Sequence, residues 1–428
     1  MRARLAGPAA VTLAFAAVAV IAFSTTSTGD YSYQVAPAMD ALLRGNVGEF
    51  FRVQPVYGGF AVLGRLPFAA AARLGGGGEL LVYQLGVLPC LVALALIGYA
   101  LTRIMRRYGQ AAGAQAVVGV LLLLNPVTIA AIRRGHPEEL LTAALVVGAT
   151  LAAIRSRPSL AGVLLGLALG TKQWALIGAI PILLACGSGR RMRAALIAGV
   201  IAAALVVPMA MADSGRFVTN TRAAQGGGAH ASRLSLWWPV ASTEQVKSNT
   251  PGGEVLTVRK LSRTWTFVAR PVAVIVALML TLVFWRRRRG LLPADTLGLL
   301  ALLLLLRCLL DPLDNDYYHA PFLICLIAWE GLRVRGLPVL SLVAAAGLWA
   351  TISSPWLSPA ALGDQFYLVN NLFYLSWALL LGGWLALSLF GGRSTEGAAG
   401  SRLPATLRST LTRAWIGEPQ SSALQQGL

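Results

Sequence analysis

Charged residues are scarce in this 428-residue chain: they make up 12% of it, against 56% for hydrophobic residues. No soluble domain needs so much apolar surface, so the composition excludes a soluble globular protein. Alternation of apolar and polar residues is also missing, because the apolar segments are continuous runs rich in Leu, Ala and Val. In lipid only helices and closed barrels satisfy their backbone hydrogen bonds, and continuous runs of ~20 apolar residues predict spanning helices.

Cysteines are few and internal repeats are missing. The four cysteines lie in or beside apolar runs, which favours small buried thiols over a disulfide framework; they are Cys90, Cys186, Cys308 and Cys325. The chain shows no convincing internal repeat, and this argues against a transporter built from inverted repeats.

The few charges alternate between the two ends of the apolar runs. Basic clusters recur at every second boundary: Arg2/Arg4, Arg103/Arg106/Arg107, Arg155/Arg157, Arg190/Arg191/Arg193, Arg286–Arg289, Arg333/Arg335 and the arginines of the tail. The other boundaries carry the acids, among them Asp30, Glu138, Asp213 and Asp311. Because basic residues stay in the cytoplasm, both termini are predicted to be cytoplasmic and the acids extracytoplasmic. The same rule accounts for the net charge of +19, so no nucleic-acid partner is expected.

These patterns predict an all-α polytopic membrane protein with about eleven to thirteen transmembrane helices in residues 1–391. A large first outer loop covers 25–78, and a second long outer loop covers 213–264. The apolar piece 56–74 holds two arginines and a proline, so we expect a helix at the outer interface. The polar, basic segment 392–428 is predicted to be a disordered cytoplasmic tail.

An acid follows the first span directly, in the sequence Gly29-Asp30-Tyr31-Ser32-Tyr33. One interpretation is structural: Asp30 caps a helix by accepting a backbone N–H. The other is catalytic: a partly desolvated carboxylate facing a membrane-borne substrate can serve as a general base. Tyr31 and Tyr33 are then candidate contacts for the acceptor.

The chain resembles a known family at this point. A short cytosolic start, one span, Asp30 with its neighbouring tyrosines, and Leu42-Leu43-Arg44-Gly45 are similar to the GT-C glycosyltransferases. The nearest branch is the polyprenol-phosphate-mannose-dependent family 87 of actinobacteria. The resemblance implies a GT-C-like fold, extracytoplasmic catalysis, a lipid-phosphate sugar donor, inversion, and the first-loop acid as base. The double acid of many GT-C members is missing because Tyr31 follows Asp30, so neither a metal nor another cofactor is expected.

The densest polar cluster is segment 311–321. Its aspartates at spacing two suggest a calcium loop, but the glycine turn and distal glutamate of such loops are missing. A solvated turn that caps the next helix remains open. The family resemblance favours a catalytic His319 near Asp30, with Tyr317 and Tyr318 packing on a sugar.

Lys172 lies between two short apolar runs, in Gly170-Thr171-Lys172-Gln173. Its ammonium group either snorkels to the outer headgroups or binds the donor phosphate inside a cavity. Arg133, Arg134 and Arg307 are further candidates for phosphate binding.

Two other motifs have both a structural and a functional interpretation. Gly135-His136-Pro137-Glu138-Glu139 fits a helix start, because Pro and acidic residues suit the first turn; His136 and Glu138 are also candidates for a cavity rim. Trp237-Trp238 fits an interfacial aromatic belt, and the same pair could stack on an acceptor ring.

The preferred hypothesis is an integral membrane glycosyltransferase. It would move a sugar, expected to be mannose, from a polyprenyl-phosphate donor to a hydroxyl of a glycolipid or glycan acceptor outside the cytosol. The alternative is a multi-span transporter or lipid flippase of the cell envelope, which would place ionisable groups at mid-bilayer. The acids here collect at one surface, which favours the enzyme. A non-catalytic scaffold for envelope synthesis is a third hypothesis.

Overall fold

The computed structural model describes residues 2–224, 230–247, 255–287, 292–354 and 365–391, and helices dominate these ranges. The first six helices are α1 (Arg2–Phe23), α2 (Tyr31–Gln34), α3 (Ala36–Leu43), α4 (Val47–Val53), α5 (Phe60–Leu63) and α6 (Leu66–Leu74). The next eight are α7 (Glu79–Arg107), α8 (Ala112–Leu123), α9 (Pro126–Arg133), α10 (Pro137–Ile154), α11 (Pro158–Leu169), α12 (Ala175–Ala185), α13 (Arg191–Ala212) and α14 (Ser214–Ala224). The last five are α15 (Arg263–Arg287), α16 (Asp295–Leu310), α17 (Ala320–Arg333), α18 (Val339–Ser353) and α19 (Phe366–Phe390).

Five helical segments in the described ranges are long and apolar enough to cross a bilayer. They are Glu79–Arg107, Ala112–Arg133, Pro137–Ile154, Ser188–Ala212 and Phe366–Phe390, and shorter apolar helices lie between them. The predicted all-α polytopic membrane fold is therefore confirmed. The number of crossings stays a prediction, because the shorter helices fall below the ~20 residues that a full crossing needs.

Helix α10 lies at the centre of the bundle and is enclosed along its whole length. It packs against α7, α11, α12 and α17, while α16 packs against α17. A helix surrounded by other helices does not need a polar face. It can carry a charged residue only where an oppositely charged or hydrogen-bonding group of another element contacts that residue. Glu138 and Glu139 in its first turn are both buried, so their partners must come from other elements.

Segment 25–78 contains the short helices α2 to α6, and α6 packs on α7 as well as on α3. Residues 60–63 and 66–74 are helical, in agreement with the helix predicted within 56–74. In segment 213–264 the structure adds an antiparallel pair of strands that the sequence did not predict. Its strands are β1 (Ser242–Lys247) and β2 (Val255–Lys260), with Ser242 opposite Lys260.

Some predictions lie outside the described residues. These are the tail 392–428 and the last two residues of the Arg286–Arg289 cluster.

Candidate active site

Two glycines bring the segment that follows α1 against the start of α10. Gly29 and Gly135 both have left-handed backbone conformations, with φ of 53° and 88°. A Cβ atom on Gly29 would lie 2.4 Å from the carbonyl carbon of Arg134, and one on Gly135 would lie 2.5 Å from the Tyr31 nitrogen. Only glycine permits this approach. The Asp30 N–H then donates to the Arg134 carbonyl at 2.9 Å, which places Asp30 beside His136.

Asp30 and His136 form a hydrogen-bonded pair. The Asp30 Oδ2 atom is 2.9 Å from His136 Nε2, while His136 Nδ1 is 3.1 Å from Glu138 Oε1. The helix-cap interpretation of Asp30 is wrong, because its side chain makes no capping hydrogen bond to α2. Both ring nitrogens of His136 face carboxylates, and only a doubly protonated imidazolium can donate to both. The geometry therefore indicates an Asp30⁻–His136⁺ ion pair.

The electrostatics of the pair agree with this assignment. Burial alone would raise the pKa of Asp30, but hydrogen bonds from His136 and Tyr33 and the charges of His136 and Arg134 lower it below its ordinary value. Burial alone would lower the pKa of His136, but its hydrogen bonds to Asp30 and Glu138 raise it. Asp30 is therefore ionised at neutral pH, with 38% of its side chain exposed, whereas His136 is fully buried.

We expect His136→Gln to shift the acidic limb of the pH profile of kcat/KM upward. The substitution removes the hydrogen bond and the charge that hold the Asp30 pKa down, while burial continues to raise it.

The same pair makes the free energy of folding of the wild type depend on pH. The Asp30 contribution is fully present above the ordinary carboxyl pKa of 3.8, and it is lost as pH falls through the lower pKa of the folded state. The His136 contribution is present below its ordinary pKa of 6.5 and is lost as pH rises through the raised folded value.

The control for this measurement is His230→Gln, because His230 is exposed and its backbone pairs with Lys260 at the end of β2. A profile whose acidic limb stays in place in the His136 variant would contradict the pairing.

Behind the pair lies a buried network of opposite charges. Lys172 Nζ is 3.1 Å from both Glu138 Oε1 and Glu139 Oε1. Arg65 Nη1 is 3.6 Å from Glu138 Oε2, and both of these side chains are fully buried. Trp174 Nε1 donates to Glu139 Oε2 at 2.7 Å. With Asp30 and His136 the network holds three carboxylates and three cations, so its charges balance, as burial requires.

Lys172 belongs to this buried network and is not open to solvent. Only 6% of its side chain is exposed, and its ammonium group sits 3.2 Å from the centre of the Tyr57 ring. Snorkelling to the headgroups is therefore wrong for this residue. Its placement arises because Gly58 and Phe60 donate to the carbonyls of Thr171 and Gly170, which docks segment 57–60 over the turn between α11 and α12.

A pocket of about 200 Å³ opens beside Asp30. Its walls are Asp30, Arg134, Ser232, Arg233, Leu234, Asp314, Asn315, Asp316 and Tyr317. Three of the residues singled out in the sequence line it: Asp30, Arg134 and Tyr317. Arg134 Nη2 is 3.4 Å from Asp316 Oδ2, and Arg233 is the second cation of the wall. The pocket therefore combines an ionised carboxylate with two guanidinium groups, a set suited to an uncharged hydroxyl and an anionic group together.

His319 lies one layer behind the pocket wall and is fully buried. Its Nε2 atom is 2.7 Å from the Tyr374 hydroxyl and 3.3 Å from Asp314 Oδ2, and its Nδ1 is 3.2 Å from the Asp316 carbonyl oxygen. Burial lowers the pKa of His319 to about 4, so the ring is neutral at pH 7. These contacts do not include Asp30, whose imidazole partner is His136. A direct part for His319 in proton transfer stays a prediction.

The other candidate residues occupy several environments. Tyr317 stacks on His136, with ring centres 4.1 Å apart, and Tyr318 packs edge-on against Tyr317. Tyr31 is buried against Tyr83 and beneath Arg65, whereas Tyr33 is largely exposed. Arg307 sits between the rings of Trp174 and Tyr318. Arg133 is exposed. Trp237 donates to the Leu310 carbonyl, and Trp238 packs with Arg259 and Tyr367, so neither tryptophan lines the pocket.

Asp314 and Asp316, the two aspartates at spacing two, lie in different environments. Asp316 pairs with Arg134, and Asp314 points into the protein, where burial raises its pKa well above the ordinary value. A different set has the chemistry of metal ligands: Cys308, Asp314 and His319 each offer one ligand atom, all within 4.8 Å of one another. Thiolate, imidazole and carboxylate suit zinc better than calcium. The expectation of a metal-free enzyme stays a prediction.

Sequence reasoning missed Arg233 in the pocket and Tyr57, Arg65 and Glu139 in the buried network. For Arg65 and Glu139 a signal existed, because charged residues at the edge of apolar runs mark functional sites in membrane proteins. Nothing in the loop around Arg233 distinguishes it from other loop arginines.

Comparison with known proteins identifies the family. The family model for Glycosyltransferase family 87 matches residues 56–312, which is more than half of the chain. The matched region contains the whole buried network except Asp30. No curated protein matches the chain. The apolar helices and the family match together indicate a membrane glycosyltransferase. The chain belongs to glycosyltransferase family 87.

Proposed function

We propose that the pocket beside Asp30 transfers a sugar from a polyprenyl-phosphate donor to a hydroxyl of a glycolipid or glycan. Mannose is the proposed sugar, inversion the proposed stereochemistry, and the extracytoplasmic face of the membrane the proposed location. The observation that carries this proposal is the ionised Asp30 carboxylate on one wall of the pocket, with Arg134 and Arg233 on the same surface.

In the proposed step the Asp30 carboxylate accepts the proton of the acceptor hydroxyl. The hydroxyl oxygen forms a bond to the anomeric carbon while the bond from that carbon to the phosphate oxygen breaks. The electron pair leaves with polyprenyl phosphate, whose added negative charge the two guanidinium groups stabilise. A single displacement of this kind inverts the anomeric centre.

The buried network orients the base in this scheme. His136 holds the Asp30 carboxylate through Nε2, and Glu138 holds His136 through Nδ1. Lys172 and Arg65 then hold Glu138 in place. We assign Lys172 a positioning role for this reason, and we assign donor-phosphate binding to the cations that line the pocket. His319 supports the pocket wall from behind in this scheme, through its contacts with the Tyr374 hydroxyl and the Asp316 carbonyl.

No step of this scheme passes through a metal or another cofactor, because arginines take the place of a divalent cation at the phosphate. The proposed partners are the lipid-linked donor, the lipid or glycan acceptor and the membrane. Nucleic acid is not among them, since the basic residues lie at the ends of apolar helices rather than along one surface.

The test is a transfer assay with purified protein in lipid nanodiscs. Polyprenyl-phosphate mannose should give a glycosylated acceptor and an equal amount of polyprenyl phosphate, whereas GDP-mannose should give none. The Arg233→Gln variant should raise KM for the donor more than KM for the acceptor, because its charge contacts the phosphate. Sugar transfer from GDP-mannose alone would overturn the proposal. Movement of the lipid across the bilayer without sugar transfer would also overturn it, and would favour the transporter hypothesis.

A further inference from the structure

A second pocket lies at the opposite end of α7 and α10 from the Asp30 site. It is formed by the last turns of α7 and by the residues that follow α10. Helix α10 has 18 residues, and at 1.5 Å per residue it separates His136 from Arg155 by ~27 Å. This pocket is therefore a separate feature, on the side of the bundle where the arginine clusters are found.

Four arginines surround this pocket, which has a volume of about 280 Å³. Arg103 and Arg107 come from α7 and Arg155 and Arg157 from beyond α10, while Tyr99 and Ala100 complete the lining. None of the four forms an ion pair with a carboxylate within the described ranges. Four positive charges thus converge without an anionic partner from those parts of the protein.

Two general effects do not account for this arrangement. The rule that places basic residues on the cytoplasmic side explains why arginines lie at this end of the helices, but it does not require them to converge. Helix C-termini attract cations with about half a unit charge each, which is less than four guanidinium groups supply. Burial lowers the pKa of Arg155, and the charges of Arg107, Arg157 and Arg103 lower it further, so these like charges repel one another. An anion in the pocket would remove that repulsion.

The surface next to the pocket indicates the kind of anion. Leu96 and Tyr99 are 61% and 57% exposed, and they lie on the same face of α7 as Arg103, at spacings of three and four residues. An apolar stripe therefore leads directly into the basic pocket. An apolar stripe beside a basic pocket fits a lipid with acyl chains and an anionic phosphate. The chains can lie on Leu96 and Tyr99 while the phosphate contacts the arginines.

We propose that Arg103, Arg107, Arg155 and Arg157 bind the phosphate of an anionic phospholipid headgroup on the membrane face opposite the Asp30 pocket. The guanidinium groups donate N–H bonds to the phosphate oxygens, for which their planar geometry is suited. The ligand acts as a structural lipid that holds the ends of α7 and α10 together.

The experiment compares two double variants that remove equal charge. Arg103→Gln/Arg155→Gln removes pocket residues. Arg106→Gln/Arg193→Gln removes arginines of the predicted cytoplasmic clusters that do not line the pocket; Arg106 instead faces Gln115. Each protein is placed in nanodiscs of phosphatidylcholine with increasing phosphatidylglycerol, and bound phosphatidylglycerol is counted by native mass spectrometry after release into detergent. Inorganic phosphate in phosphatidylcholine nanodiscs is the second arm.

The pocket variant should bind phosphatidylglycerol at least about tenfold more weakly than the wild type, and the control variant should bind within about twofold of it. Phosphatidylglycerol should raise the thermal midpoint of the wild type and the control, but not of the pocket variant. Equal losses in both variants would show that only total charge matters and would overturn the proposal. Stabilisation by inorganic phosphate through the same arginines would assign the pocket to a free anion instead of a lipid.

Discussion

Replacing Asp30 by Asn is expected to lower kcat/KM for sugar transfer by about 10²- to 10⁴-fold, the usual contribution of a general base. Asparagine has the size of aspartate and can still accept a hydrogen bond from His136 through its carbonyl oxygen, but it cannot accept the proton of the acceptor hydroxyl. The protein should therefore fold and enter the membrane normally. The measurement is steady-state transfer by purified variants, with yield and thermal midpoint recorded for each.

Asp40, ten residues after Asp30, offers a closely matched control. Asp40 has 39% of its side chain exposed, against 38% for Asp30, and it pairs with a cation, Arg73, at 3.6 Å. It lies outside the pocket lining. Asp40→Asn should leave kcat/KM within about twofold of the wild type. Full activity in the Asp30 variant, or equal losses in both, would refute the assignment of Asp30 as the base.

The second large effect is expected on stability. Lys172→Met should lower the free energy of unfolding by about 3–5 kcal/mol, because it leaves Glu138 and Glu139 buried with one cation partner fewer. Thermal unfolding in detergent, followed by tryptophan fluorescence, would measure the change. If Lys172 instead held the donor phosphate, the same variant would lose donor affinity and keep its thermal midpoint.

Two further variants separate charge burial from other causes. Lys260→Met removes the Lys260–Glu244 pair, which joins exposed side chains at 3.0 Å, and it should change stability by no more than about 1 kcal/mol. Adding Glu139→Gln to Lys172→Met should restore part of the loss, since Gln leaves one buried carboxylate fewer and can still accept the Trp174 N–H. A double variant that is less stable than Lys172→Met alone would contradict this account.

The sequence predicted the helices well because hydrophobicity alone determines where a chain can cross lipid. The apolar run that ends at the Arg155/Arg157 cluster is the helix Pro137–Ile154, and the run that follows the Arg190/Arg191/Arg193 cluster lies in the helix Arg191–Ala212. The short helices within 25–78 were harder to predict from the sequence, because only residues 56–74 of that segment are apolar. The hairpin within 213–264 has no strong alternation and was not predicted.

Single residues of the candidate site could be predicted from the sequence, but the contacts between them could not. Asp30, Arg134 and Tyr317 were recognisable as polar groups at outer span ends, and all three line the pocket. The partnership of Asp30 with His136 was not, because it joins residues 106 positions apart through a contact between two glycines. Pattern reasoning also failed to separate Tyr31 from Tyr33. The two lie two positions apart on a short helix, so one faces Tyr83 in the interior and the other faces outward.

The balanced charges around Glu138 have a consequence for the order in which the chain is inserted into the membrane. Arg65 is synthesised before Glu138, whereas Lys172 and Trp174 are synthesised after it. When α10 leaves the ribosome, Glu138 already has Arg65 and His136, but Glu139 has neither its ammonium partner nor its indole donor. Acidic groups are costly in the bilayer until they are paired. Helix α10 can therefore reach its final enclosed position only once the turn between α11 and α12 has emerged, so the centre of the bundle is completed after α10 itself has left the ribosome.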